Sequence, residues 1–176
     1  MRVIGGEFRS RALRSVPGLD TRPTPDRLRE TLFNVLAPHI DGARFLDLYA
    51  GTGAVGIEAL SRGAARAIFV EKNRTALQVI RENVRSLGIE TRADVRQGNP
   101  ASVLGLFDAD IIFLDPPYAL ENEYAATMAA VGDKPAPIVI VQHSIRLNLE
   151  ETYGALRRTR ILKQGDNALS FYAPRD

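Results

Sequence analysis

Apolar residues in this chain fall into two kinds of run, and their alternation predicts the architecture. Short strand-like runs at 44–48, 67–71, 111–115 and 138–142 are separated by stretches in which apolar positions recur with helical period. That is the pattern of βαβ units in a parallel sheet. The runs starting at Ile111 and Ile138 are apolar without alternation, as expected of strands covered on both faces. Helix ends follow from cap chemistry. Thr24 is placed to cap a first helix, with Pro25 at its first position and Asp26 at the positive end of the dipole. Leu28, Leu32, Val35 and Leu36 make its apolar stripe, and its end is expected near Ala37. Another helix starts after Asn73, buries Leu77, Ile80, Val84 and Leu87, and stops at Gly88, which can take left-handed backbone.

The two ends of the chain depart from this alternation. Gly5-Gly6 lies between short runs at 2–4 and 8–13, which predicts a basic hairpin or extended arm outside the main sheet. Residues 156–172 read as two strands around Gly165-Asp166-Asn167, an antiparallel hairpin that finishes the sheet. With no repeat, low-complexity tract or linker-like shift in composition, the expectation is one domain over 1–176. Residues 1–20 form its extension and 21–176 its core.

Composition narrows the chemistry. The chain has no cysteine, which excludes a disulfide framework, a thiolate zinc site and a thiol nucleophile. His39 and His143 lack paired ligand spacing, so no metal is expected and each is read as incidental. No apolar run approaches the roughly 20 residues needed to cross a bilayer, and the first residues lack the features of a secretory or transit segment. A cytoplasmic protein without a membrane anchor is the expectation. The net charge is only +2, yet Arg2, Arg9, Arg11, Arg14, Arg22, Arg27 and Arg29 crowd the first thirty residues. Arginine's planar fork suits phosphate, although a solvated basic surface would have the same composition.

The segment from Asp47 to Gly56, DLYAGTGAVG, ends the first core strand and opens a helix. Gly51, Gly53 and Gly56 satisfy the dinucleotide pattern G-x-G-x-x-G, and Glu71 stands where an acidic residue would take ribose hydroxyls. The pattern alone does not separate a nicotinamide cofactor from S-adenosylmethionine. Asp47 does favour one of them, because a carboxylate at the strand end repels a pyrophosphate and suits the ammonium group of a methionine moiety. Glu71 paired with its neighbour Lys72 on the surface is the bland alternative.

Asp115-Pro116-Pro117-Tyr118 follows the apolar run 111–114 as a rigid turn. The prolines have no N–H to offer, so the turn presents acceptors. The Asp115 carboxylate and the Pro116 carbonyl can each take one hydrogen of an NH₂ group, while Tyr118 offers a flat face to a base. Holding both hydrogens localises the nitrogen lone pair toward a methyl donor and steadies the charge that develops there.

These residues carry a family resemblance. Gly5-Gly6, the block Arg22 to Asn34, the turn Asp47 to Gly56 followed by Glu58 to Gly63, and Asp115 to Tyr118 resemble the bacterial 16S rRNA guanine-N2 methyltransferases over nearly the whole chain. Asp-Pro-Pro-Tyr alone is shared with DNA adenine-N6 and glutamine-N5 methyltransferases, so the Arg22 to Asn34 block is the more specific sign. The resemblance implies a Rossmann-like class I methyltransferase, an α/β three-layer sandwich whose seven-stranded, mostly parallel sheet ends in an antiparallel strand. A basic N-terminal hairpin would help to hold RNA through Arg2, Arg9, Arg11 and Arg14. By position, Asp47, Gly51, Thr52 and Gly53 would line the methionine part of S-adenosylmethionine. Glu71, with Lys72 beside it, would take the ribose, Thr24 the cofactor entrance and Asn99 the adenine. Pro100 lacks the N–H that related enzymes present to adenine at this point, which leaves more to the Asn99 side chain. Asp115, Pro116, Pro117 and Tyr118 would act on the target amine. The implied partner is 16S rRNA or the small ribosomal subunit, met by a monomer.

Three other functions compete. A DNA adenine methyltransferase would share the chemistry but usually adds a target-recognition domain, for which this chain has no room. A nicotinamide-dependent reductase leaves Asp115 to Tyr118 unexplained, and an RNA-binding module without activity leaves both motifs idle.

Overall fold

The computed structural model describes residues 1–17, 25–117 and 119–175; the expectations for Thr24 and Tyr118 lie outside the described residues. Helix α1 (Asp26–Ile40) leads into β1 (Arg44–Asp47), α2 (Ala54–Ser61), β2 (Arg66–Glu71) and α3 (Arg74–Leu87). Then follow β3 (Ala93–Gln97), the single turn α4 (Pro100–Val103), β4 (Ile111–Leu114), α5 (Glu121–Asp133) and β5 (Ile138–Ser144). The chain closes with β6 (Thr152–Tyr153), β7 (Leu156–Gln164) and β8 (Asn167–Pro174).

Among the described residues the strands form one sheet in the order β3-β2-β1-β4-β5-β8-β7-β6. The first five in that order are parallel, and β8 and β7 add antiparallel strands beyond β5. The sheet has eight strands rather than seven because β6, two residues long, pairs with the start of β7. Alternate side chains of each strand enter opposite cores. Phe45, Phe69, Phe113 and Ile140 pack under α1, α2 and α3, while Leu46, Val70, Leu114 and Val141 pack under α4 and α5. This is the expected three-layer α/β sandwich. Among the described residues no helix is long and apolar enough to cross a membrane.

Two local expectations shift. Pro25 occupies the N-cap of α1, and the helix runs through Pro38 to Ile40 rather than stopping near Ala37. A proline in the last turn costs one backbone bond, and burial of Ile40 against the core offsets it. The N-terminal segment, expected as a basic hairpin or extended arm, closes on itself through a single antiparallel bridge, Arg2 to Ala12. It is also fastened to the body, since Val3 and Leu13 are buried in the core under α1 and α2. His143, read as incidental, is buried between the Ser144 carbonyl and the Ser170 hydroxyl, at 2.9 and 2.8 Å.

Candidate functional site

The carboxyl ends of β1, β2 and β4 open onto one cleft of about 790 Å³, at the edge where open α/β sheets bind ligands. Asp47, Gly51, Thr52, Glu71, Lys72, Asp115, Pro116 and Pro117 all line it. Register brings the motifs together, because β1 lies between β2 and β4 with Asp47 opposite Phe69 and Phe113. The loop after β1 is pinned on both sides: Leu48 N–H donates to the Phe113 carbonyl and Ala50 N–H to the Val70 carbonyl, each at 3.0 Å.

The loop then turns through Gly53, which caps α2 with φ +84°, a left-handed conformation that disfavours any side chain. Gly56 serves another need. A Cβ there would lie 2.3 Å from the Phe69 ring, so glycine lets α2 press against β2. A Cβ at Gly51 would meet nothing within 4 Å, which leaves space for a ligand.

Asp47 is 1% exposed, and neither carboxylate oxygen makes a hydrogen bond among the described residues. Burial, reinforced by the charge of nearby Asp115, pushes its carboxyl up to about 8; the N–H groups of Gly56 and Tyr49 lie near enough to offset only part of this. An orphaned buried carboxylate facing a cleft is complementary to a cationic group. Glu71 is held differently: one oxygen accepts from Gly51 N–H at 3.0 Å and the other from Asn73 N–H at 2.9 Å. Its remaining lone pairs are available to hydroxyl donors. Lys72 turns to Glu123 instead, at 3.6 Å, and Glu123 also accepts from the Tyr49 hydroxyl at 2.9 Å. The Glu71–Lys72 surface pair is thus not formed.

At the turn after β4, the Pro116 carbonyl accepts from the buried Tyr124 hydroxyl at 3.1 Å, and Gln142 offers that hydroxyl a second carbonyl at 3.3 Å. The Pro117 carbonyl accepts from Leu120 N–H at 2.9 Å. A carbonyl has two acceptor lobes, so Tyr124 steadies the Pro116 carbonyl without exhausting it. Asn99 is exposed and its side chain caps α4 through Ala101 N–H at 3.1 Å, while its neighbours Gly98 and Pro100 line the cleft.

Arg2, Arg9, Arg11 and Arg14 lie exposed on the arm. Three of them contact the body: Arg2 approaches Asp26 at 4.0 Å, Arg11 donates to the Ser86 carbonyl at 3.0 Å, and Arg14 pairs with Glu82 at 2.9 Å. Arg29, one of the cations crowded near the start, is fully buried and faces inward.

Sequence reasoning missed Tyr124, Gln142, Asn167 and Asn83. Gln142 and Asn167 line the cleft beside the Asp115 turn. Asn83, 1% exposed, accepts from Arg14 N–H at 2.7 Å and donates to the carbonyls of Arg14 and Thr52 at 3.2 and 3.1 Å. One amide thereby joins the arm to the glycine turn. A signal existed for it: Asn83 sits on the same helical stripe as Ile80, Val84 and Leu87, where a polar residue needs partners.

Comparison with known proteins matches residues 1–173 to the family model described as Conserved hypothetical protein 95. A Bacillus subtilis protein, YlbH, provisionally named an rRNA methyltransferase, is 35% identical over 99% of this chain and 100% of its own length. The Escherichia coli protein named ribosomal RNA small subunit methyltransferase D is 44% identical over 67% of this chain and 60% of its own length. Among solved structures, the provisionally named methyltransferase yhhF from Escherichia coli superposes with a TM-score of 0.83 at 36% identity, covering 99% of this chain and 97% of that one. The fold is also that of an RNA methyltransferase from Salinibacter ruber in complex with S-adenosyl-L-homocysteine, at TM-score 0.68 and 16% identity over 88% of this chain and 95% of that one.

Proposed function

The chain belongs to the family described as Conserved hypothetical protein 95, and from that premise and the geometry of its cleft we propose that it is an S-adenosylmethionine-dependent rRNA methyltransferase acting on the N2 amine of a guanine in 16S rRNA. One observation supports the reading above all: the Asp47 carboxylate, unpartnered among the described residues, and the acceptor turn Asp115-Pro116-Pro117 share a cleft with Gly51 of the first strand-to-helix turn. The small-subunit name of the Escherichia coli relative supports the choice of rRNA.

When bound, S-adenosylmethionine supplies a methyl group made electrophilic by its sulfonium. Asp47 would hold the ammonium group of the methionine moiety in its carboxylate form. Glu71, fixed by the N–H groups of Gly51 and Asn73, accepts from the ribose hydroxyls. Asp115 and the second lobe of the Pro116 carbonyl accept the two hydrogens of the exocyclic amine and turn its lone pair toward the methyl group. This arrangement would hold the amine nitrogen in line with the donated methyl group, and alignment would supply much of the acceleration. The proton shed by the nitrogen passes to Asp115 or to water. A guanine within a duplex has to be flipped out to reach this turn.

The test is to incubate the protein with radiolabelled S-adenosylmethionine and 16S rRNA from cells lacking the enzyme, then separate the nucleosides. Label in N2-methylguanosine is expected; label in another nucleoside, or transfer to adenine in DNA instead, overturns the assignment. Asp115→Ala should lower transfer by about a hundredfold or more, the order seen when one transition-state contact is lost. Calorimetric affinity for S-adenosylhomocysteine should hardly change, because Asp115 acts on the acceptor amine. A parallel loss of cofactor affinity counts against that role.

A further inference from the structure

Several cations outside the arm are neutralised within the fold. Arg44 pairs with Asp110, Arg66 and Arg96 with Asp94, Arg92 with Glu7, and Lys134 with Asp108. One group is not. Strand β7, Leu156–Gln164, carries Arg157, Arg158, Arg160 and Lys163 and no acidic residue, and Arg146 lies exposed just after β5. Among the described residues none of these five has a carboxylate within 4.0 Å. The nearest acids in sequence, Glu150, Glu151 and Asp166, leave them unpaired.

Register ties this group to the cleft. Ser144 of β5 and Gln164 of β7 both pair with Asn167 of β8, and Asn167 lines the cleft. Lys163 and Arg146 therefore stand near its rim, and Arg160 and Arg157 follow within roughly 20 Å along β7, at about 3.3 Å per residue, on the other face of this edge strand, where they pair with Phe171 and Ala173. The outer side of β7 is also open beyond Arg158, since β6 pairs with Leu156 and Arg157 and the Arg158 N–H donates to the Glu151 carbonyl. The arm contacts α1, α2, α3 and Arg92, whereas β7 lies beyond β5 and β8 in the sheet order, away from β3.

We propose that β7 and the turn after β5 form a second RNA-docking surface, which grips phosphates beside the cleft, apart from the arm; this deepens the rRNA reading and rests on it. Three of the four arm arginines already have internal partners, whereas Arg146, Arg157, Arg160 and Lys163 lie exposed without a carboxylate partner among the described residues; Arg158 is half-buried beside the Tyr172 hydroxyl. The competing account is that charge on an open edge strand only blocks edge-to-edge pairing.

The two accounts separate in the variant Arg157→Ala/Arg160→Ala/Lys163→Ala. Binding to 16S rRNA transcribed in vitro is followed by anisotropy across a salt series, with self-association measured by ultracentrifugation. The proposal expects weaker binding and a log K against log salt slope shallower by about 2, at roughly 0.7 for each lost single-strand phosphate contact. Arg146→Ala, on a separate element, should act in the same direction to a smaller extent. Affinity for S-adenosylhomocysteine should stay at the wild-type value in both variants, since none of these residues lines the cleft. An unchanged slope, with or without new self-association, overturns the second surface and leaves the methyltransferase reading standing. Wild-type protein that binds S-adenosylhomocysteine but no rRNA overturns both.

Discussion

Asp47 carries a proton for the same reason that it suits a cation. The carboxyl is buried at the end of β1 with no hydrogen-bond donor of ordinary geometry, and burial lifts it from 3.8 to about 8. A group whose folded pKa is raised contributes stability that is full below its unfolded pKa and lost as pH rises through the folded value. The unliganded protein should therefore lose stability between pH 4 and 8 from this residue alone. With Asp47 in the proposed ammonium site, cofactor binding runs the other way. The ammonium group requires the carboxylate form, so affinity should increase as pH rises toward about 8, by up to about tenfold per pH unit for one released proton, and then level off. Titration calorimetry with S-adenosylhomocysteine at pH 6, 7, 8 and 9 measures this directly. Asp47→Asn should bind weakly and show a much flatter profile, while gaining stability relative to wild type at pH 8. Equal pH slopes for the two proteins would remove Asp47 from the ammonium site.

Helix α3 links two functional segments through one side chain. It presents Asn83 to both the arm and the glycine turn, satisfying the Arg14 N–H and the carbonyls of Arg14 and Thr52. Truncation to Ala leaves these buried groups short of partners, at about 1–3 kcal/mol each, and frees the Thr52 carbonyl on the cofactor side. Asn83→Ala should lower affinity for S-adenosylhomocysteine by about tenfold, equivalent to roughly 1.4 kcal/mol. Ser61→Ala is the control, because Ser61 bonds the arm at Gly5 and Phe8 without touching Thr52; it should leave cofactor affinity within about twofold. Similar losses in both variants would reduce Asn83 to a general anchor of the arm. This bridge also marks where sequence reading stops. That Asp47, Gly51, Glu71 and Asp115 would share one cleft was legible because strand ends are written as apolar runs that stop at polar or glycine residues, and open sheets bind ligands at those ends. The hairpin β7–β8 was legible from its turn residues. Strand β3 was not: its five residues are all half-buried or exposed, so it lacks the apolar run that betrays a central strand. The roles of Tyr124 and Asn83 depend on which segments pack beside them, and no local spacing encodes that.

At the scale of the molecule, a buried charge cluster decides whether the arm belongs to the body. Glu58 of α2, fully buried, accepts from the N–H groups of Ile4 and Gly5 at 2.9 Å each and from Arg62 at 2.8 Å. Arg29 of α1, also fully buried, approaches Glu58 at 3.8 Å and donates to the Arg2 carbonyl at 2.6 Å and to Asp26 at 3.1 Å. Arm, α1 and α2 thus meet at one point, and α1 and α2 both begin at the cleft, beside Pro25 and after Gly53. The cluster is not at its energetic optimum. Arg29 Nε and Nη1 have no hydrogen bond among the described residues, and burial holds the guanidinium below its usual pKa. Breaking a buried pair from one side leaves an uncompensated charge, which costs about 3–5 kcal/mol; Arg62 and the two amides keep Glu58 partly satisfied, so the lower end applies. Arg29→Ala should lower the urea-unfolding free energy by about 3 kcal/mol and expose the arm to protease before the core is cut. Arg29→Met/Glu58→Gln removes both charges and keeps much of the volume, so it should lose less than the two single variants added together. Strict additivity, or an arm that stays protected in Arg29→Ala, would mean that the apolar anchors Val3 and Leu13 hold the arm without help from the ion pair.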